Sequence, residues 1–460
     1  MEATRPAERP PEPSVQAMLD AETRPVPPAL RDCGTARVPA QPIDRSRYTA
    51  PAFAAREAAL LWPRCWQMAC RLEDIPEPGD YVVYSVGRLS FLVTRVSATE
   101  VAAHVNACLH RGRMLREADG HAEAFRCPFH GFSWNLDGSC RALVNGWDFP
   151  HVDRAAFRLP RAHVATWGGF VFLNPAADPE PFDRFLEFLP AHYATRGWDL
   201  GARVKAVHVR KHHRCNWKVA LEAFIESFHV TETHRSAMTY LGDAMTQYDV
   251  WEGCRTTRMI SPRGLASPNG PPLSELEVFR AGMRPALGAK ADSLALPPGM
   301  TARAALADMR RRALLAEGLD VAEATDCELI DTIQYHVFPN LVLWAGWGSY
   351  LVYRFLPGET PDCCTMEVMF LVPPAPGRTI PVAREVTEIG ADESHAAAPQ
   401  LGGFAAVFDE DMSNLAALQK GLHAMASPGP VTGLVQEARI RHFHACLDAF
   451  MAEAETESRA

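Results

Sequence analysis

The chain has 460 residues, 47% of them hydrophobic, which is enough for two or three domains with ample core. A net charge of -9 and a pI near 6.0 leave no basic footprint for nucleic acid. No run of about 18 uninterrupted apolar residues reads as a membrane span, the N-terminus lacks the charged-then-apolar order of a signal peptide, and twelve cysteines in a chain this long are no disulfide framework, so the expected compartment is the cytoplasm with reduced thiols. Residues 1–42, rich in Pro, Ala and charge with few large apolar side chains, read as a disordered tail. Folding is expected from about residue 48, with a short helix over Pro51 to Trp62 that stops at Pro63. From about Trp66 to Val171 short strands alternate with turn signals, Tyr81 to Tyr84, Leu89 to Thr94 and Val101 to Val105 among them, which predicts a small antiparallel barrel or sandwich.

Inside that segment lie two Cys/His couples, Cys108-Leu109-His110 and Cys127-Pro128-Phe129-His130, sixteen residues apart. One thiolate and one imidazole per couple suits a Rieske [2Fe-2S] centre, in which two cysteines hold one iron and two histidines the other. Neutral imidazoles leave less negative charge on such a cluster, so it accepts an electron at a higher potential. Zinc takes the same ligand types, but its sites more often pair like with like. Gly112 follows the first couple and Gly131 the second, so each sits on a tight loop whose backbone N–H groups can point at sulfur.

Beyond Pro175 strands and helices alternate irregularly. Phe182 to Ala191 reads as helix, Val204 to Arg210 as strand, Asn216 to Phe228 as helix, Gln334 to Phe355 as paired strands, Thr365 to Leu371 as strand and Asp411 to Ala424 as helix. The fold class is α+β, a sheet with helices on one side. Residues 262–330, with Pro/Gly stretches flanking a basic helical piece from Ala302 to Leu314, read as a lid or insertion. His229 and His234 stand five apart, which on an ideal helix leaves their side chains roughly 140° apart. The β-branched pair Val230-Thr231 favours ending the helix between them, so that His234 swings round from a loop, with Glu226 three residues before His229 on the same face.

Cys108-Leu109-His110-Arg111-Gly112, Cys127-Pro128-Phe129-His130-Gly131, Asn216-Trp217-Lys218, Phe338-Pro339-Asn340 and Asp411 together resemble the large (alpha) subunits of Rieske non-heme iron oxygenases, from about residue 48 to 425. The resemblance implies an all-β Rieske domain over 48–170 and a larger antiparallel-sheet catalytic domain of helix-grip, START-like type over 171–455. It implies a [2Fe-2S] cluster on Cys108, His110, Cys127 and His130, and a mononuclear non-heme Fe(II) on His229, His234 and a carboxylate from a distant helix, Asp411. Asp409 and Glu410 are the rivals for that ligand, and are expected to be dispensable if Asp411 holds it. It also implies a head-to-tail homotrimer in which a carboxylate bridges a cluster histidine of one subunit and an iron histidine of the next. That residue is most often aspartate; here it is Glu226, one methylene longer, as in the branch resembling carnitine and choline monooxygenases.

The implied activity is a terminal oxygenase taking O2 and electrons from a separate NAD(P)H reductase, with or without a ferredoxin, to hydroxylate or oxidatively dealkylate an apolar aromatic or alicyclic substrate. Quaternary-amine monooxygenation and aromatic-ring cis-dihydroxylation are the alternatives within the family. No Gly-rich nucleotide fingerprint follows a predicted strand, in keeping with a separate reductase. Val342 to Tyr350, uncharged with three large aromatics, borders the substrate cavity in the family. It suits a flat apolar ligand or an aromatic cage for a quaternary ammonium. His212-His213 reads as structural, because neighbours on a strand face opposite ways, and Cys363-Cys364 as inert thiols. Two other classes compete. A plain Rieske electron carrier would need only about a hundred residues, against some 290 that follow the cluster domain here, and a zinc-stapled binding protein would be colourless.

Overall fold

The computed structural model describes residues 12–234 and 238–457. Its first sheet has seven antiparallel strands in the order Gln67–Arg71, Phe170–Asn174, Arg161–Trp167, Val101–Val105, Leu89–Arg95, Asp80–Val86 and Gly120–His121. A three-stranded sheet of Phe125–Arg126, Ser133–Trp134 and Cys140–Ala142 stands on it. Gly168 and Gly169 take φ of +58° and +78° and turn the chain between Arg161–Trp167 and Phe170–Asn174. Only glycine enters that region without strain.

The second sheet has eight strands, in the order Gln247–Val250, Thr257–Ser261, Thr332–Val337, Leu341–Ala345, Leu351–Pro357, Cys364–Val372, Val204–His213 and Thr387–Ile389, all antiparallel except the last pair. The helices Trp217–Phe224, Phe404–Ala424 and Ala438–Glu457 cover one face with Trp217, Leu221, Phe408, Leu415 and Phe443. The expectation of helices on one side only is corrected. Leu343, Val352 and Leu371 on the other face pack under the short helices Phe182–Leu186 and Leu189–Tyr193 and under the N-terminal segment. Every residue of Leu341–Ala345 is buried, as in a strand covered on both faces, where the pattern runs apolar without alternating.

The disordered-tail reading also needs correction, for residues 12–42; residues 1–11 lie outside the described residues. Val15–Asp20 and Pro28–Arg31 are helical and bury Val15, Leu19, Ala29 and Leu30 against the sheet. The fully buried Arg258 fixes them by donating to Asp32 O at 2.7 Å and to Ala29 O. Leu30→Ala should therefore cost about 2–5 kcal/mol, as deletion of a buried leucine side chain does. Urea unfolding reads this directly, and an unchanged midpoint would restore the disordered tail.

The Asn216-Trp217-Lys218 motif explains itself here. The Asn216 side chain caps the helix by accepting from Lys218 N at 3.1 Å and donates to Tyr48 O at 3.1 Å, while Lys218 Nζ pairs with buried Glu57 at 2.7 Å, so one tripeptide clamps the early helix Pro51–Leu60 to the catalytic sheet. Residues 262–330 form three helices, Glu275–Leu287, Ala302–Ala316 and Asp326–Ile330, with a small core of their own built on Val278, Phe279, Leu306 and Trp347. Among the described residues no helix is long and apolar enough to cross a membrane.

Candidate functional site

The two Cys/His couples sit on matched turns. Gly112 N donates to Cys108 O at 2.8 Å and Gly131 N to Cys127 O at 3.0 Å, with φ of +75° and +78° at the two glycines. Burial and the neighbouring Cys127 thiol push the Cys108 thiol above its usual pKa, against the backbone N–H groups of His110 and Arg111, which favour the thiolate. The rings of His110 and His130 meet edge to face, with centroids 4.6 Å apart. His110 Nδ1 is buried without a hydrogen-bond partner among the described residues. Two sulfurs, two imidazoles and an orphaned nitrogen around one point fit a cluster of two cysteine-held and two histidine-held irons. His130 is exposed, with the Phe129 ring (55% exposed) against it at 3.9 Å between centroids.

The second constellation joins three segments. The helix Trp217–Phe224 ends before Glu226, so the break falls earlier than expected, and His229 and His234 flank a separate one-turn helix, Val230–Thr233. Their rings stand 5.3 Å apart at 70°. Asp411, 6% exposed on Phe404–Ala424, brings Oδ1 to 3.5 Å from His229 Nε2 and 3.1 Å from His234 Nε2. One ligand atom from each of the three lies within 4.8 Å of the others.

Each ring is held from behind. Glu226 Oε1 sits 2.6 Å from His229 Nδ1, and its Oε2 accepts from His229 N at 3.1 Å and from Phe228 N. Glu410 Oε2 sits 2.7 Å from His234 Nδ1. With both Nδ1 atoms engaged, both Nε2 atoms are turned to Asp411, the arrangement in which outer carboxylates orient histidines for a cation. Burial lowers the pKa of His229, but Glu226 and Asp411 outweigh it and hold it above the usual value. Surroundings negative enough to favour a proton favour a metal ion in the same place.

Three consecutive carboxylates thus serve three partners, because successive helix residues radiate about 100° apart. Asp409 takes Ser394 and His395, whose Nδ1 lies at 2.8 Å; Glu410 takes His234; Asp411 faces both Nε2 atoms. The sequence reading missed the part played by Glu410. The signal was its place beside a candidate ligand, but only the helix phase shows which ring it reaches. His212 is exposed and His213 buried on opposite faces of their strand, so they make no site together.

Two spaces meet at this constellation. A cavity of about 90 Å³ is lined by Phe224, Met259, Trp344, Tyr353 and Phe408 together with Glu226, His229, His234 and Asp411. A groove of about 870 Å³ reaches Glu226, His229 and Asp411 from the other side and carries Glu222, Glu232, Glu437, Leu418 and Val431 on its walls. Of the three aromatics in Val342 to Tyr350, only Trp344 lines the cavity; Trp347 packs under the 262–330 helices, and Tyr350 lies beneath Arg203 and Arg310.

A small β domain with one set of metal-binding residues, followed by a sheet-and-helix domain with another, defines a chain built around two separate metal centres. Residues 65–146 match the Rieske [2Fe-2S] domain, and residues 201–453 match the ring hydroxylating alpha subunit (catalytic domain). The chain belongs to the ring-hydroxylating alpha-subunit family. The two matched domains imply a Rieske cluster and a mononuclear iron supplied with electrons by a reductase. Choline monooxygenase of Beta vulgaris is 30% identical over 201 residues, 41% of this chain and 43% of that one, and the large subunit of anthranilate 1,2-dioxygenase from Acinetobacter baylyi is 33% identical over 149, 32% and 31% respectively. These matches span under half the length of the curated relatives. A crystal structure of naphthalene 1,2-dioxygenase with indole bound shares the fold at a TM-score of 0.64 and 17% identity, covering 93% of this chain and 97% of that one.

Proposed function

We propose that the chain is the terminal oxygenase of a multicomponent system. It hydroxylates or oxidatively dealkylates a small ring substrate with O2 and electrons from a separate NAD(P)H reductase. The observation that carries this is the pair of histidines locked at Nδ1 by Glu226 and Glu410 with both Nε2 atoms facing Asp411. Cys108, His110, Cys127 and His130 would hold the cluster, and His229, His234 and Asp411 would hold the mononuclear iron. Bound there, the cluster supplies one-electron transfer and the iron supplies O2 activation. Phe224, Trp344, Tyr353 and Phe408 wall off the cavity and exclude water. Twelve unpaired cysteines support a reducing compartment, the cytoplasm.

Assembly follows from complementarity within one sequence. The cluster tip exposes Phe129, Trp147, Leu109, Met114 and Val144 beside Arg111, and such clustered exposed apolar residues mark a contact surface. The groove behind His229 offers acidic walls and the exposed Leu418 and Val431. Among the described residues Glu226 bonds only within its own turn and to His229, so its reach to a cluster histidine comes from a second copy. A head-to-tail contact of this kind closes into a ring, here a homotrimer. A quaternary-ammonium substrate is the second reading, favoured by Glu226 and by the aromatic wall of the cavity. The decisive test is metal content: purified protein should be red-brown with about three irons per chain, two in the cluster and one mononuclear. Colourless protein with stoichiometric zinc would remove the oxygenase reading.

A further inference from the structure

The cavity beside the iron ligands is not apolar all round. Arg263 stands in its wall just after the strand Thr257–Ser261. Its backbone is pinned, with N donating to Asp331 Oδ1 at 2.9 Å and O accepting from Arg303 Nη1 at 3.0 Å. Asp331 would be the natural partner for its charge, but Asp331 is already gripped at both oxygens by Arg303, at 2.6 and 2.8 Å. Among the described residues the Arg263 guanidinium makes one hydrogen bond, Nη2 to Thr332 Oγ1 at 3.1 Å, of the five N–H donors such a group carries.

A second donor in the same wall is unspent. Trp344 is 8% exposed, and its Nε1 has no hydrogen-bond partner among the described residues. Strand register explains why these groups share a face. Ser261 pairs with Thr332, Met259 with Gln334 and Gln334 with Trp344, so alternate residues of three adjacent strands turn into the cavity. A buried donor without an acceptor is costly, and a ligand that brings the acceptor removes that cost.

We propose that the substrate carries a carboxylate, which Arg263 binds and to which the Trp344 indole N–H donates. A guanidinium grips a carboxylate through two parallel bonds and so fixes orientation as well as affinity. The ring attached to it then lies among Phe224, Tyr353 and Phe408, with one edge held toward His229, His234 and Asp411. A quaternary ammonium without a carboxylate would meet a fixed like charge here. The inference deepens the oxygenase reading and rests on it for the chemistry, but not for the binding.

Isothermal titration of the iron-loaded protein with benzoate, benzamide and choline tests it. Benzoate should bind about 10- to 100-fold more tightly than benzamide, the range of a charged hydrogen-bonded pair. Arg263→Gln should bring the two within about threefold while leaving benzamide affinity, iron content and the cluster spectrum unchanged; Arg263→Lys should keep part of the preference. Equal or absent binding of benzoate by the wild-type chain, or a preference for choline, overturns the proposal. So does a benzoate preference that survives in Arg263→Gln, because that carboxylate would be bound by the metal instead. Protein that loads no iron would count against the oxygenase reading, whereas the benzoate-to-benzamide ratio measured on it would still decide the role of Arg263.

Discussion

Asp411→Ala should empty the mononuclear site of iron and abolish turnover, while the visible spectrum of the cluster stays intact. Among the described residues Asp411 is the one carboxylate whose oxygen faces both Nε2 atoms, at 3.5 and 3.1 Å, so its loss would remove a third of the proposed ligand set and the anion that would balance the ion's charge. The cluster residues lie on loops of the other domain and keep their own turns. His229→Ala and His234→Ala should behave in the same way. The neighbouring carboxylates give graded results. Asp409→Ala loosens the turn at Ser394 and His395 but spares the iron. Glu410→Ala, expected from sequence to be harmless, should now weaken iron binding about 10- to 100-fold, because it removes the group that orients His234. Iron analysis and NADH-driven O2 uptake on the purified variants read both effects. Full iron in Asp411→Ala with none in Glu410→Ala would shift the third ligand by one residue.

Glu226→Gln should keep both metal centres loaded and slow electron transfer between them by orders of magnitude. Glutamine preserves the shape and can still accept from Phe228 N and His229 N, so the short helix keeps its start. It loses the charge that draws a hydrogen bond from His229 and, in the proposed assembly, would draw one from a cluster histidine of a second copy, and charge-assisted bonds are roughly twice as strong as neutral ones. Glu226→Asp restores charge but shortens the reach by one methylene, in a turn built for the longer side chain, and should leave partial activity. Stopped-flow oxidation of pre-reduced cluster by O2 and substrate follows the step itself. A wild-type rate in Glu226→Gln would make Glu226 an ordinary turn residue and send the electrons by another path.

What the sequence made legible was local. Cys108 to Gly112 and Cys127 to Gly131 carry ligands and turn glycines within five residues each, and His229 and His234 announce themselves beside Glu226. Asp411 came from family resemblance, since no spacing rule links it to histidines on a distant segment. The role of Glu410 depends on the phase of its helix against His234, which is a tertiary fact. The N-terminal helices were misread for a related reason. Pro- and Ala-rich composition argues against a self-sufficient core, but Ala29 and Leu30 bury against strands far along the chain and are fixed by Arg258. Helices on the second face were signalled by the unbroken apolar run Leu341–Ala345, whose period could not say what covers it.

Glu226, His229 and Asp411 form a party wall, touched on one side by the cavity and on the other by the groove. A lone chain therefore wets its ligand set from behind however well the aromatic side seals. A second copy seated in the groove would dry that side and lower the local dielectric around three charged or titratable groups at once, strengthening every electrostatic interaction among them. In the proposed assembly, quaternary structure would then set the polarity of the reaction site as well as the route of its electrons, and a dilute, dissociated protein would differ from the assembled one in chemistry, not only in supply.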